Sequence, residues 1–413
     1  MLAVPRSARS PTRAPVPAIV KSLGWVSFFT DVASEMIYPL LPALLLSLGG
    51  TAVWLGVMEG LAEAASAAVK FFIGPVVDRA PRRKPLILAG YALATVVRPL
   101  IAFATMGLHV VILRSLDRIG KGVRGVPRDA LVAESVPREL SATAFAYHRM
   151  MDNAGSVFGP VVAFVLLRGL GLPIRDVILL AVVPGLVSCA VLYWGVKEPS
   201  RHVVAAAAPL PVGGDPALAV AAPLPPAVGR YLAILALFTM GASADSFLIL
   251  RAVELGVAAA WAPLLWLALS GAKAASNMPG GWLADRFGKK RTLGAAWLLY
   301  AAFYAASSHV TSPVSFALLV VAYGGYYGLA EGSERALLAD LTPPSMRGRA
   351  FGAMHAVTGL AVLPANLLFG LLYAKHVSLA FGVSAACAAS AAALLLVTVK
   401  EPLAPPGSAT LSA

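Results

Sequence analysis

Charged residues are scarce in this sequence. Only 13% of its 413 residues are Asp, Glu, Lys or Arg and 59% are hydrophobic, whereas a soluble domain contains about 25% charged residues. The mean hydropathy is +0.79, and apolar runs of about 20 residues, the length that crosses a bilayer as a helix, recur along the whole chain. The composition excludes a soluble domain and predicts an all-α polytopic membrane protein.

Cysteine and histidine are also scarce, and neither forms a pattern. The two cysteines, Cys189 and Cys387, lie in apolar stretches, where a cysteine usually serves as a small packing residue. The six histidines are scattered, and the sequence contains no nucleotide-binding motif. We therefore expect no disulfide, no metal site, no cofactor and no catalytic residues, so the sequence does not predict an enzyme.

Acidic residues are outnumbered by basic ones, 20 to 33, and the net charge is +13. Such a surplus can indicate nucleic-acid binding, but here the basic residues cluster in alternate short loops, as in cytoplasmic loops of membrane proteins. We expect membrane lipid as the surroundings and no nucleic-acid partner. No acid precedes Asp31, and the first residues lack the apolar core and cleavage site of a signal peptide. They predict a disordered basic tail, with an organelle transit segment as the alternative.

The apolar runs predict twelve transmembrane spans. Their ranges are 18–48, 52–77, 84–106, 108–134, 141–168, 173–196, 230–256, 260–284, 290–308, 313–341, 348–374 and 377–399. Basic residues follow spans two, four, six, eight and ten, which predicts that both termini are cytoplasmic. We expect a monomer in the inner (plasma) membrane of a bacterium.

The two halves of the chain repeat one another. The segment GPVVDRAPRRK, which contains Asp78, matches GWLADRFGKKR, which contains Asp285, at an offset of 207 residues. RDALVAES (128–135) matches ERALLADL (334–341) at an offset of 206, and FFT (28–30) matches LFT (237–239) at an offset of 209. Three stretches at nearly one offset indicate a duplicated six-helix unit.

The predicted domains follow from this duplication. A linker rich in Pro, Ala and Gly, without helical periodicity, separates the two halves. The predicted parts are a basic cytoplasmic tail (1–17), an N-terminal six-helix bundle (18–199), a cytoplasmic linker (200–229), a C-terminal six-helix bundle (230–402) and a second cytoplasmic tail (403–413).

The duplicated loop motif, G-x-x-x-D-R-x-x-[RK]-[RK] after spans two and eight, resembles the major facilitator superfamily. The first copy departs from the family pattern at Ala80-Pro81, whereas Phe287-Gly288 restores it in the second. The resemblance covers nearly the whole chain. It implies twelve transmembrane helices in two pseudo-symmetric bundles, which rock about a central substrate site by alternating access.

The resemblance also implies a conformational latch in these loops, which closes the cytoplasmic side when the bundles face outward. The alternative is that the charges only orient the chain. The residues predicted for this gate lie at the ends of spans two, four, eight and ten: Asp78, Arg79, Arg82, Arg128, Asp129, Asp285, Arg286, Glu334 and Arg335.

Span one carries acids at membrane depth. Asp31, Ser34, Glu35 and Tyr38 are spaced 3, 1 and 3 apart, which places them on one helix face. Ionisable residues inside a membrane are costly and therefore usually functional. Burial and nearby cations tune the proton affinity of a carboxylate, so Asp31 and Glu35 are candidates for proton coupling, with static ion pairing as the alternative.

Span four carries an unusual charged face. Its charged residues share an arc of about 140° on a helix: Arg114, Asp117, Arg118, Lys121, Arg124, Arg128 and Asp129. Family architecture places spans one and four together along the cavity, so Arg118, Lys121 and Arg124 are candidate partners of the span-one acids. Arg118, four residues before Gly122, resembles the span-four motif of proton-coupled drug exporters, where this arginine is tied to proton transfer.

Other polar residues complete the predicted substrate cavity. Gly155, Gly159 and Pro160 in span five partly match the exporter motif, and small residues four apart permit close helix contact. The residues predicted to line the cavity are Tyr38, Glu63, Lys121, Arg124, His148, Asp152, Asp245, Asn277 and Glu331. Structural hydrogen bonding is the alternative for His148 and Asp152, and Glu331 and Arg335 are placed to satisfy each other.

Three functions fit these patterns. The first is secondary active transport of a small organic molecule, amphiphilic or anionic, by proton-coupled export, as in the twelve-span drug and metabolite exporters. The second is uptake or facilitated transport of an organic anion or nutrient. The third, a non-transporting membrane receptor or enzyme, has no motif in its favour. The additional cations Lys121 and Arg124 favour an anionic or zwitterionic substrate.

Overall fold

The computed structural model describes residues 17–136, 141–198, 223–343 and 346–400. These residues form twelve helical spans, which we number α1 to α12. Their bounds are α1 Ala18–Ser47, α2 Ala52–Arg79, α3 Lys84–Phe103, α4 Gly107–Glu134, α5 Ser141–Phe164, α6 Ile174–Gly195, α7 Pro226–Glu254, α8 Ala262–Phe287, α9 Lys289–Ser307, α10 Pro313–Leu341, α11 Arg347–Lys375 and α12 Val377–Thr398. The predicted all-helical fold of twelve spans is confirmed. The two tails and most of the linker lie outside the described residues.

Proline and glycine set several helix ends. α7 begins at Pro226 rather than at the predicted 230, because proline suits the first turn of a helix, where its missing N–H is not needed. α8 and α9 are separated by Gly288, whose φ of 91° is open to glycine but costly for other residues. The break after α8 therefore follows directly from the second copy of the loop motif.

Nine of the described helices are long and apolar enough, by length and composition, to cross a membrane. α4 is not among them, because its charged face lowers its mean hydropathy. An interior span of this kind is covered by its neighbours, and α4 packs against both α2 and α3.

The two halves pack in the same way. In the first half α1 packs on α5 and α2 on α4, and in the second half α7 packs on α11 and α8 on α10. One ion pair in each half also follows this repeat. Arg83 Nη2 lies 2.8 Å from Glu134 Oε1 in the first half, and Lys289 Nζ lies 2.5 Å from Asp340 Oδ2 in the second. The second pair follows the first by 206 residues (289 − 83 and 340 − 134), so the repeat is structural as well as sequential.

Glycines bring α5 close to the acidic face of α1. A Cβ atom on Gly155 would lie 2.5 Å from the backbone oxygen of Phe28, and one on Gly159 would lie 2.7 Å from the Cβ of Glu35. Only glycine fits at such distances. The close helix contact expected from these small residues is confirmed, and it places the α1 acids Asp31 and Glu35 beside the glycines of α5.

α7 is not the continuous helix that the apolar run 230–256 predicts. Its helix stops at Gly241 and restarts at Ser246. Side chains of other helices satisfy the freed backbone: the Ser243 N–H donates to the Tyr300 hydroxyl (3.3 Å), and the Ala244 N–H donates to Asn366 Oδ1 (2.8 Å). Irregular backbone at membrane depth is tolerated where protein groups satisfy it in this way.

The bundles meet on one side of the membrane. We name the side where α6 ends and α7 begins the linker side, and the other the opposite side. Towards the opposite side α2 packs on α11, where Gly56 touches the backbone of Asn366, and the rings of Phe164 and Trp261 lie 5.3 Å apart. Nearer the linker side Lys121 and Glu331 are exposed. The space between the bundles therefore opens towards the linker side.

Candidate functional site

The face of α1 that carries the predicted coupling acids borders the space between the bundles. Asp31 and Glu35 are half-buried, and Tyr38 is 8% exposed. Glu35 Oε2 accepts a hydrogen bond of 2.7 Å from Nε1 of Trp266, which belongs to α8 of the other bundle. The rings of Tyr38 and Trp266 lie 4.7 Å apart. This part of α1 therefore forms a polar and aromatic contact across the bundle interface.

Asp31 differs from Glu35 in having no fixed partner. Within the described part of the chain, no hydrogen bond or ion pair reaches its carboxylate. The charged groups that act on it electrostatically are Asp152, Lys121, Arg124 and Glu35. Acids and bases thus surround Asp31 without neutralising it by direct contact.

The first part of the charged face of α4 lies inside the N-terminal bundle. Asp117 accepts hydrogen bonds from Arg98 Nε (2.9 Å) and Arg114 Nη1 (3.0 Å), and Arg98 also donates to the Thr30 carbonyl (3.0 Å). All three charged side chains are at most 4% exposed. Arg114 and Asp117 therefore pair within α4, and Arg98 of α3 is a partner that helical spacing does not reveal.

The middle part of the α4 face divides between two environments. Arg118 lies 3.5 Å from Glu63 of α2, rather than pairing with Asp31 or Glu35. Lys121 is exposed to the cavity, whereas Arg124 is 4% exposed and lies over the Tyr91 ring, 4.6 Å from its centroid. The reason is geometric, because an arc of about 140° is wide enough for its two edges to face different neighbours. Arg124, predicted to line the cavity, lies inside the bundle instead.

The last part of the face joins a hydrogen-bond network with α1 and α5. Arg128 pairs with Asp129 at 2.9 Å and donates to Ser27 Oγ at 3.1 Å. Ser27 Oγ lies 3.1 Å from His148 Nε2, and His148 Nδ1 lies 3.5 Å from Asp152 Oδ2. His148 is 4% exposed. This arrangement gives His148 the structural hydrogen bonding that was the alternative to substrate contact.

The C-terminal bundle contributes a second charged cluster. Asp245, at the break in α7, forms an ion pair with Lys273 of α8 and accepts hydrogen bonds from the Tyr327 hydroxyl at 3.0 and 3.1 Å. Asn277, one turn beyond Lys273, is exposed. Lys273 was not among the predicted cavity residues, because its partner lies 28 positions away in another helix.

The remaining charged residues of α10 separate into an exposed pair and a half-buried acid. Arg335 donates to Glu331 at 3.2 Å, as their spacing predicts, and both side chains are more than half exposed. Glu334 instead lies within the bundle, 3.4 Å from the indole nitrogen of Trp297. The predicted gate pair Glu334 and Arg335 is therefore split between two environments.

Among the predicted latch residues whose side chains the structure describes, none forms a contact between the bundles. Asp285 is exposed, and Arg286 lies over the rings of Trp282 and Phe287 in its own helix. Arg82 is exposed as well. The side chains of Asp78 and Arg79 lie outside the described residues. An open linker side agrees with this arrangement.

Glu59 of α2 is a buried acid that was not among the predicted site residues. Its side chain is 3% exposed, and within the described structure its Oε1 atom has no hydrogen-bond partner. Arg114, Arg118 and Ser246 act on it electrostatically or by hydrogen bonding. The sequence held one signal for this residue, the shared face with Glu63 four positions on.

Comparison with known proteins places this arrangement in a family. The model of the Major Facilitator Superfamily matches residues 23–272 and 246–412. An uncharacterized MFS-type transporter of Methanocaldococcus jannaschii is 32% identical over 358 residues, which cover 85% of this chain and 87% of that protein. The multidrug resistance protein MdtG of a Rahnella strain is 30% identical over 176 residues, 40% of this chain and 42% of that protein.

The fold is also found among solved structures. A bacterial homolog of the human lysosomal transporter Spinster, in an inward-facing and unoccupied conformation, superposes with a TM-score of 0.71. The two share 15% sequence identity over 93% of this chain and 96% of that one. At this identity the likeness concerns the fold alone.

Proposed function

The chain belongs to the major facilitator superfamily and is a membrane transporter, not an enzyme, and we propose that it exports a small organic molecule in exchange for protons. In this proposal Asp31 and Glu35 are the coupling carboxylates, and Arg118 of α4 takes part through its ion pair with Glu63. The linker side is then the cytoplasmic side. This orientation is supported by the basic residues that cluster there in both halves, among them Arg83 and Lys289.

The observation that carries the proposal is the half-buried Asp31 carboxylate without a fixed partner. An acid that is held in a static ion pair stays ionised and does not readily take up a proton. The Asp31 carboxylate is instead half-buried and lies within electrostatic reach of Lys121 and Asp152. It can therefore take up and release a proton as the cavity changes its exposure.

Glu35 links proton exchange to the relative position of the two bundles. Its hydrogen bond to Trp266 joins the two bundles, and an N–H donor bonds about twice as strongly to a charged acceptor as to a neutral one. Release of a proton to the linker side strengthens this bond. It thereby favours the conformation open to the linker side, which is the one that accepts substrate for export.

Two further findings support export. The span-five glycines that partly match the exporter motif make the close contact with α1 that such a motif provides. MdtG, which is similar over part of this chain, is described as a multidrug resistance protein.

The second candidate is an uptake symporter or facilitator for an organic anion or nutrient. It is supported by Lys121, a cation exposed to the cavity. The sidedness of accumulation separates the two functions.

The test uses everted and right-side-out vesicles that contain the protein. In each kind of vesicle a pH gradient is imposed in both directions, with either the interior or the exterior acidic. A panel of labelled amines, organic acids and nutrients is measured in both. An exporter accumulates its substrate in everted vesicles with an acid interior. Accumulation only in right-side-out vesicles with an acid exterior would contradict export, and uptake independent of the pH gradient would contradict proton coupling.

A further inference from the structure

The break in α7 holds a carboxylate at the edge of the cavity. Asp245 lies where the helix restarts and is 9% exposed. The Tyr327 hydroxyl donates a hydrogen bond that the two carboxylate oxygens share, and Oδ2 pairs with the Lys273 ammonium. In transporters, interrupted helices of this kind commonly form the substrate site near the bilayer midplane.

The ammonium of Lys273 sits in an aromatic cage. Its Nζ atom lies 3.8 Å from the centroid of the Tyr327 ring and 5.3 Å from that of the Trp266 ring. A cation over one or more aromatic faces, completed by a carboxylate, is the arrangement by which proteins recognise organic ammonium groups. The Lys273 side chain is 23% exposed, so this cage is open to the cavity rather than sealed inside the bundle.

Only part of the aromatic cluster of this bundle is available to a ligand. Phe247, Tyr323 and Tyr326 are at most 7% exposed and pack in the bundle interior. Trp266 and Tyr327 are partly exposed, and the ring of Trp266 continues to Tyr38 across the bundle interface. The Lys273 ammonium therefore adjoins an aromatic surface that can bind the apolar part of a ligand.

The charges around the cavity favour a cation over an anion. Two carboxylates lie beside the Lys273 ammonium: Asp245 pairs with it, and Glu35 accepts the indole N–H of Trp266, which forms one edge of the cage. Arg124 is directed away from this site, onto the ring of Tyr91. An anion that recruited Lys273 would also leave Asp245 without its counter-ion, which is unfavourable for a largely buried carboxylate.

We propose that Asp245, Tyr327 and Trp266 form the site for the ammonium group of an amphiphilic cationic substrate, and that Lys273 occupies this site until the substrate displaces it. The proposal rests on the transport function proposed above and names its substrate class. It makes Lys273 a built-in competitor. Removal of its charge must strengthen cation binding, whereas a purely structural role predicts no change or a loss.

Binding of tetraphenylphosphonium tests the proposal, with tetraphenylborate as an anion of similar size and shape. Each radiolabelled ion is equilibrated with the protein in lipid nanodiscs and corrected for uptake by empty nanodiscs. We expect the Lys273→Met variant to bind the phosphonium at least tenfold more tightly than wild type, and Asp245→Asn at least tenfold more weakly. Lys70→Met, which removes an exposed lysine of α2, is the matched control and leaves the affinity within twofold.

A second measurement uses the unmodified chain, so it remains informative if Lys273→Met fails to fold. The rate at which an amine-acylating reagent modifies Lys273 is followed by peptide mass spectrometry. Saturating phosphonium is expected to raise this rate severalfold by displacing the ammonium from Asp245, whereas the borate leaves it unchanged. An unchanged rate with phosphonium bound, or an unchanged or weaker affinity in folded Lys273→Met, overturns the proposal.

Two further outcomes keep this proposal separate from the transport function. Proton-coupled flux without any Asp245-dependent phosphonium binding overturns the cationic site and leaves the transport function standing. Asp245-dependent binding that Lys273→Met strengthens supports the cationic site, even where a flux assay shows no proton coupling.

Discussion

The indole Nε1 of Trp266 donates a 2.7 Å hydrogen bond to Oε2 of Glu35, and this bond joins the two bundles at the closed end of the cavity. Trp266 is at once the edge of the Lys273 cage and the partner of a predicted coupling acid. Charge at Glu35 and contact between the bundles are therefore linked through one side chain.

Trp266→Phe is expected to favour opening on the opposite side, because it keeps the ring and removes the donor. A hydrogen bond to a charged group contributes about 1.5–3 kcal/mol, enough to shift a two-state equilibrium about tenfold or more. Spin labels at Thr51 and Lys375, at the opposite-side ends of α2 and α11, in a chain with Cys189 and Cys387 replaced by alanine, would show a new population at longer distance. Trp282→Phe, on an exposed tryptophan of the same helix, is the control, and equal distributions in both variants would contradict the link.

Gly155→Ala is expected to destabilise the N-terminal bundle, because its Cβ would lie 2.5 Å from the backbone oxygen of Phe28. Overpacking of this kind costs about 1–3 kcal/mol. Gly281→Ala in α8 is the matched control: its Cβ would meet nothing within 4 Å, and the gain in helix propensity is about 1 kcal/mol. Unfolding in a mixed-micelle titration measures both, and equal midpoints would contradict the close α1–α5 contact.

The two repeat-related ion pairs at the linker side are expected to contribute unequally to stability. Arg83 is 4% exposed, so Glu134→Gln leaves a buried guanidinium short of its counter-ion, at a cost of about 1–3 kcal/mol. Lys289 and Asp340 are 30% and 43% exposed, and loss of such a pair in Asp340→Asn costs under about 1 kcal/mol. Thermal unfolding of the two variants compares them, and a larger loss in Asp340→Asn would reverse this assignment.

The extent to which the sequence predicts this structure differs between backbone and site. Long apolar runs, proline at helix starts and the repeated loop motif predicted twelve spans within a few residues, because each is a local signal. The break in α7 was not predictable, since it depends on Tyr300 and Asn366, which meet Ser243 and Ala244 only after folding. The pairs Arg98–Asp117 and Asp245–Lys273 were missed for the same reason.

Helical spacing also predicted more than it can determine. The charged residues of α4 do share one arc, yet Arg118 faces Glu63 whereas Arg124 faces Tyr91. Spacing gives the angle of a side chain about its own axis. It does not show which neighbouring helix lies at that angle.

The central claim is that Asp31 and Glu35 couple protons to substrate movement, and comparison of two transport modes in one preparation tests it. Asp31→Asn and Glu35→Gln are measured for accumulation driven by a pH gradient and for exchange of labelled against unlabelled substrate without a gradient. Asp176→Asn, on an exposed acid at the start of α6, is the control. We expect gradient-driven accumulation to fall more than about tenfold in at least one of the two α1 variants, because a single buried charge contributes free energy of that size. The same variant is expected to retain exchange. Driven accumulation equal to wild type in both variants would contradict the account.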